Sequence, residues 1–154
     1  MADNLFSSFT LITSKHESSS ARISSAGLDS DIPRTTAEKK LVRQLENYFA
    51  GKKTAFDLRK IPIDRTGWKL FQSRVADALA AVRYGTTISY AELAMVAGHP
   101  RASRAVGNCM AANPYPVIIP CHRVVRSDGS LGKFSAGRGW KARLLSLEGL
   151  PFSE

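Results

Sequence analysis

The sequence predicts an α/β chain in two parts: a short N-terminal domain (residues 1–65) and a C-terminal domain (66–154) built on a helix-turn-helix. Three observations predict it. Apolar residues recur at helical spacing over 35–51 and again over 68–82. A capped short helix that breaks at Gly98 is followed by a basic amphipathic segment over 101–112, the order of a helix-turn-helix. Beyond Asn113-Pro114 the pattern shifts to the β-like runs Val117-Ile118-Ile119 and Val124-Val125.

Each element has a local reason. Residues 5–13 alternate partly and favour a strand, and the serine-rich stretch after them reads as loop. Thr35 and Glu38 have capping-box spacing. They open a helix with Leu41, Val42, Leu45, Tyr48 and Phe49 on one face and Gly51 as its stop. Pro62 and alternating charges make the segment through Arg65 a connection. Trp68, Phe71, Val75, Leu79 and Val82 form the inward face of a second helix, ended by Tyr84-Gly85. Ser89 and Glu92 form another capping box, opening a third helix through about Val96. Pro100 suits the first turn of a fourth, Arg101 to Ala112, because a missing N–H costs little there. On that helix Ala102, Ala105, Val106, Cys109 and Met110 share one face, while Arg101, Arg104 and Asn108 share another. Asp128-Gly129 is a turn dipeptide, residues 132–139 a glycine-containing loop, and a last helix runs from about Trp140 to Glu148-Gly149.

The formal charge is +9, and residues 101–154 hold eight Lys and Arg against three acids. Such an excess suits a polyanion, either nucleic acid or an anionic membrane surface, although a basic solvated surface accounts for it equally. The two cysteines, Cys109 and Cys121, do not make a disulfide scaffold. With no Cys-x-x-Cys pair and three histidines far apart in sequence, neither a metal site nor a cofactor is expected. The start Met-Ala-Asp-Asn has no basic segment or long apolar run, and no stretch is long enough to span a membrane. The expected setting is intracellular: cytoplasm and nucleoid, or the nucleus of a eukaryote.

The chemistry centres on Ile118-Ile119-Pro120-Cys121-His122-Arg123-Val124-Val125. Cys121 could be core filler, a metal ligand, half a disulfide or a nucleophile. A nucleophile needs activation, since a free thiol is only slightly ionised at neutral pH. His122 is next in sequence, but neighbours on a strand point to opposite faces. It therefore acts on Cys121 only if Pro120 bends the backbone or a water relays the proton. The acceptor that would orient His122 is Asp128 or Glu148, the first better explained by turn chemistry. Cys109, on the apolar helix face, reads as buried filler.

Residues 71–149 resemble the C-terminal domain of the O6-alkylguanine-DNA alkyltransferase family (methylated-DNA–protein-cysteine methyltransferases). The matching stretches are Ile88-Ser89-Tyr90 with Leu93-Ala94, Ser103-Arg104-Ala105-Val106-Gly107, Asn113-Pro114, Ile119 to Val125, Ser135 to Gly137, and Leu144-Leu145 with Glu148-Gly149. The resemblance implies a suicidal repair enzyme. Cys121 would take an alkyl group from O6 of a flipped guanine, His122 would act as base through a water, and Glu148 would orient His122. Asn113 would hold the turn carrying the active-site segment. Tyr90, Val124, Ser135 and Met110 would line the base pocket. Arg104 would replace the extruded nucleotide, with Arg101, Ala105, Gly107 and Asn108 on the recognition helix in the minor groove. The partner implied is double-stranded DNA containing O6-alkylguanine, with O4-alkylthymine as a further substrate and the protein a monomer. The implied fold is a ribonuclease-H-like N-terminal domain, here short and weak in sheet formers, followed by a winged-helix-like domain. Phe134 and Ala136 depart from the tyrosine and glycine that many members carry. Two other functions compete: a non-catalytic DNA-damage-binding module, whose known examples lack the cysteine, and a cysteine hydrolase using Cys121 and His122.

Overall fold

The computed structural model describes residues 35–152 apart from Ala136; the expected strand over 5–13 and serine-rich loop lie outside these. The chain divides between Thr54 and Ala55 into two compact units, whereas the sequence reading put the break at residue 65. In the first unit, helix α1 (Thr36–Phe49) begins where the capping box put it. The Thr35 hydroxyl accepts from the Glu38 N–H at 3.2 Å, and the Glu38 carboxylate accepts from the Thr35 N–H at 2.7 Å. Leu45, Tyr48 and Phe49 are its buried residues.

The second unit is a helix-rich assembly around a two-stranded parallel sheet. Helix α2 (Leu70–Ala80) is followed by β1 (Ile88–Ser89), α3 (Tyr90–Val96), α4 (Ser103–Ala111), a single 3₁₀ turn (Cys121–Arg123), β2 (Val124–Val125) and α5 (Arg138–Leu147). Helices α2, α3 and α4 pack on one another. Their apolar stripes (Val75, Ala76 and Leu79; Leu93 and Ala94; Val106 and Met110) meet in one core that also takes in Ile119, Cys121 and Val124. Each fully buried leucine or valine here contributes roughly 1.5–3 kcal/mol, so the segment carrying Cys121 is anchored by packing.

Three expectations need correction. Helix α4 starts at Ser103, not Arg101; Pro100 lies in the turn before it, and Ala102 is the N-cap without a side-chain cap. Ala105, placed on the apolar face, is exposed, and Cys109 is only half-buried. The run Val117-Ile118-Ile119 is turn rather than strand, with Val117 at φ 70. A β-branched residue is strained in that left-handed region, but Val117 is fully buried, and tertiary packing overrides its β-propensity.

The sheet is small but decides the site. Ile88 pairs with Val124 and Ser89 with Val125. Ser89 also caps α3: its hydroxyl accepts from the Glu92 N–H at 3.1 Å. Tyr90, the first residue of α3, is thereby delivered beside the strand that leaves Cys121. Upstream, the 55–69 connection is tied down by the Arg65–Asp77 ion pair at 2.6 Å and by the Tyr115 hydroxyl donating to the Asp64 carbonyl at 3.1 Å.

Candidate active site

Cys121 sits where the chain changes direction twice. Pro120 has φ −79 and ψ 64, and the Cys121 N–H donates to the Ile119 carbonyl at 2.7 Å. That is an inverse γ-turn. The 3₁₀ turn follows, closed by Arg123 N–H donating to the Pro120 carbonyl at 2.9 Å. Cys121, His122 and Arg123 therefore do not alternate as strand neighbours would, and all three are buried.

Asn113 braces the loop before this turn. Its side-chain oxygen accepts from the Tyr115 N–H at 3.0 Å, and its amide donates to the Ile119 carbonyl at 2.9 Å. One side chain thus spans the loop from α4 to the cysteine. Burial pushes the Cys121 thiol above its ordinary pKa. A hydrogen bond from the Asn113 side chain, the nearby Lys141 charge and backbone N–H groups pull it back.

Glu148, the C-cap of α5, turns inward and is 5% exposed. Its Oε1 lies 2.8 Å from His122 Nε2, and Asp128 is excluded as the orienting acceptor because its carboxylate caps its own turn at Ser130. Arg123 donates from Nε to both Glu148 oxygens, at 3.1 and 3.0 Å, and from Nη2 to Oε1 at 2.9 Å. The Gly85 N–H donates to Oε2 at 2.9 Å. Burial alone would raise the Glu148 pKa, but the hydrogen bonds from His122 and Arg123 hold it down at about 2. Burial keeps His122 below its ordinary pKa, against the opposing pull of Glu148. The pair is a carboxylate facing a neutral imidazole.

Lys141 is fully buried and carries two hydrogen bonds, from Nζ to the Val124 and Leu131 carbonyls. It joins the exit of the cysteine turn to the 131–137 loop. Its ammonium lies 5.9 Å from the Tyr90 ring centre. Burial lowers its pKa to about 8, while the Cys121 thiolate charge pulls the other way. Tyr90 is half-buried, and its hydroxyl donates to the Lys133 carbonyl at 3.4 Å. A Cβ on Gly132 would come within 3.3 Å of that hydroxyl, so the loop closes on Tyr90 because residue 132 lacks a side chain. Burial raises the Tyr90 pKa, and the thiolate charge adds to this.

The fold thus brings Cys121, His122, Glu148, Asn113, Tyr90, Val124 and Met110 around one centre. Ser135 lies in an exposed turn closed by the Gly137 N–H donating to the Phe134 carbonyl at 3.0 Å. Phe134 packs against the core, and Ala136 is outside the described residues. Arg101, Arg104, Ala105 and Asn108 are exposed on and just before α4, with Gly107 half-buried and 3.9 Å from Tyr90 by its would-be Cβ. The sequence reading paired Glu148 with His122 but missed Arg123 and the Gly85 amide as its other partners, and missed the buried lysine. The only signals were Arg123 inside the β-branched run and Lys141 one turn before the apolar Leu144-Leu145.

Residues 70–150 match the family model described as 6-O-methylguanine DNA methyltransferase, DNA binding domain. A methylated-DNA–protein-cysteine methyltransferase of Methanosarcina barkeri is 46% identical over 123 residues, 77% of this chain and 75% of the relative. The mouse protein of that name is 51% identical over 85 residues, 54% of this chain but only 36% of its own length. The chain thus spans about a third of that relative. The crystal structure of Mycobacterium tuberculosis OGT in complex with DNA superposes with a TM-score of 0.63 at 43% identity, over 71% of this chain and 64% of that one. The match covers more than half the chain and includes both Cys121 and Glu148, so the chain belongs to the 6-O-methylguanine DNA methyltransferase family.

Proposed function

We propose that this chain repairs O6-alkylguanine, and by the same chemistry O4-alkylthymine, in double-stranded DNA by moving the alkyl group irreversibly onto Cys121. The observation that carries the reading is one arrangement: a buried cysteine followed at once by a histidine whose Nε2 is held by Glu148 at 2.8 Å.

The chemistry follows from these groups. The Glu148 carboxylate accepts Nε2–H, which leaves Nδ1 of His122 to take a proton. Nδ1 removes the Cys121 proton through one water, and the neutral state of the imidazole makes it competent to do so. Lys141 and Asn113 favour the thiolate that results. Sγ attacks the alkyl carbon in line, the carbon–O6 bond breaks, and its electron pair leaves with guanine. Tyr90 keeps its proton at neutral pH and donates to the base as charge develops, with Ser135 near O6. The carbonyls of Cys121 and Val124 accept from the guanine amine; Val124 has a second lone pair beside the one Lys141 uses. Water does not cleave the thioether formed, so each molecule reacts once.

The base must leave the stack, at a cost of a few kcal/mol. Exposed Arg104 fills the gap. Arg101 and Asn108 bind the backbone, and the small residues Ala105 and Gly107 let α4 approach the minor groove. Met110, in the same buried core as Cys121, lines the base pocket. The helical hairpin with its small sheet serves as a winged-helix-like reader, the N-terminal part as a reduced ribonuclease-H-like domain, and the protein acts as a monomer.

The test is incubation with a duplex carrying O6-methylguanine, followed by peptide mapping by mass. One methyl on the Cys121 peptide, saturating at one equivalent, supports the reading. Binding without mass gain favours a damage-binding module, and methyl transfer by Cys121→Ser overturns the mechanism.

A further inference from the structure

We infer that the turn from Val82 to Gly85 is a positioning clamp for the reactive centre, with Gly85 and Tyr84 setting the Glu148 carboxylate and the Arg123 guanidinium that orient His122. The inference deepens, and rests on, the alkyl-transfer reading.

Four contacts of this turn run to those groups or to the residue before Glu148. The Gly85 N–H donates to Glu148 Oε2 at 2.9 Å. The Val82 carbonyl accepts from Arg123 Nη1 at 2.6 Å. The Tyr84 hydroxyl donates to the Leu147 carbonyl at 2.8 Å, and the Arg123 guanidinium lies over the Tyr84 ring, 5.9 Å from its centre. Oε1 of Glu148 serves His122 and Arg123, whereas Oε2 is held by Arg123 Nε and the Gly85 N–H. The Gly85 bond and Arg123 together therefore fix the rotation of the carboxylate, and so the direction in which Oε1 meets the imidazole.

Glycine is required here for two reasons. Residue 85 has φ 74, and a Cβ would stand 3.0 Å from the Glu148 carbonyl oxygen. A helix stop needs the first property but not the second, nor an amide aimed at a buried carboxylate 63 residues away.

The experiment compares Gly85→Ala, Tyr84→Leu, Tyr84→Phe, Glu148→Gln and the double variant Gly85→Ala/Glu148→Gln with the wild type. Three readouts are used: methyl transfer from the O6-methylguanine duplex, duplex affinity, and the rate at which iodoacetamide labels the Cys121 peptide between about pH 6 and 9. Gly85→Ala is expected to slow both reactions about tenfold or more and to flatten the labelling profile, with affinity changed less than about twofold. Added to Glu148→Gln, it should cost less than about twofold, because it acts through that carboxylate. Tyr84→Phe, which keeps the ring under Arg123 but loses the hydroxyl bond to Leu147, should recover part of what Tyr84→Leu loses. Additive losses in the double variant, wild-type rates in Gly85→Ala, or equal losses in the two Tyr84 variants overturn the clamp. If Gly85→Ala does not fold, the Tyr84 pair decides. A wild type that is labelled by iodoacetamide but takes no methyl refutes the repair reading, while the labelling arm still judges the clamp.

Discussion

Glu148 Oε1 stands 2.8 Å from His122 Nε2, although 26 residues separate the two in sequence. Helix α5 closes that distance by ending at the 3₁₀ turn, so the C-cap of one element becomes the acceptor for a histidine on another. Arg123, the neighbour of His122, grips the same carboxylate, which makes Glu148 a shared anchor for two consecutive residues.

Glu148→Gln should therefore do double damage. It removes the charge that orients His122, lowering methyl transfer by about two to four orders of magnitude. It also leaves the buried Arg123 without its counter-charge, costing on the order of 3–5 kcal/mol. Single-turnover kinetics and urea denaturation report the two separately; a folded variant with an unchanged rate rules out the orienting role.

Acid should unfold the protein in two stages. His122 is neutral in the fold but takes a proton when unfolded, so stability declines as pH drops below about 6.5. Glu148 has its folded pKa depressed from 4.5 to about 2. Its contribution is complete above 4.5 and lost as pH falls through about 2. Urea midpoints measured down this range should show wild type and Glu148→Gln converging at the acid end; a constant gap contradicts the depressed carboxyl.

Lys141→Met keeps much of the stem volume but removes the ammonium joining the Val124 and Leu131 carbonyls. The thiol should ionise at higher pH, and alkyl transfer should slow by about one to two orders of magnitude. In the wild type, Lys141 loses its own proton near pH 8, so the thiolate-supporting charge fades above that value. Iodoacetamide labelling of the Cys121 peptide against pH tests this, and superimposable curves for variant and wild type would sink it.

Arg104→Ala should leave the reaction with free O6-alkylguanine bases nearly intact while slowing duplex repair, because Arg104 is exposed on α4 whereas the thiol is buried. Equal losses on both substrates exclude base replacement. Duplex binding should also weaken steeply with salt if arginine–phosphate contacts dominate.

Asn113→Ala severs both ends of the brace between Tyr115 and Ile119. A loss of about 1–3 kcal/mol in stability is expected from the unsatisfied groups, with a larger fall in reactivity than in DNA affinity. Fluorescence-monitored denaturation and a duplex-binding titration separate these effects.

Local chemistry was legible where it is self-contained. Both capping boxes, Thr35/Glu38 and Ser89/Glu92, begin helices at the residues that carry them, since a cap is made within four residues. Where the N-cap side chain makes no hydrogen bond, as at Lys69 and Ala102, the observed starts fall two residues after those expected. Pro120 was a visible sign that the backbone could leave the strand, but not that a γ-turn and a 3₁₀ turn would follow.

The sequence by itself determined the helical hairpin, the basic exposed face with Arg101, Arg104 and Asn108, and the motif placing His122 beside Cys121, because spacing and side-chain type are local properties. Tertiary structure decided the rest. It turned Val117-Ile118-Ile119 into a buried turn, chose Glu148 over Asp128, and recruited Arg123, Lys141 and the Gly85 amide. Those outcomes depend on which groups meet away from water. A buried carboxylate, ammonium or guanidinium persists only where distant parts of the chain supply its partners.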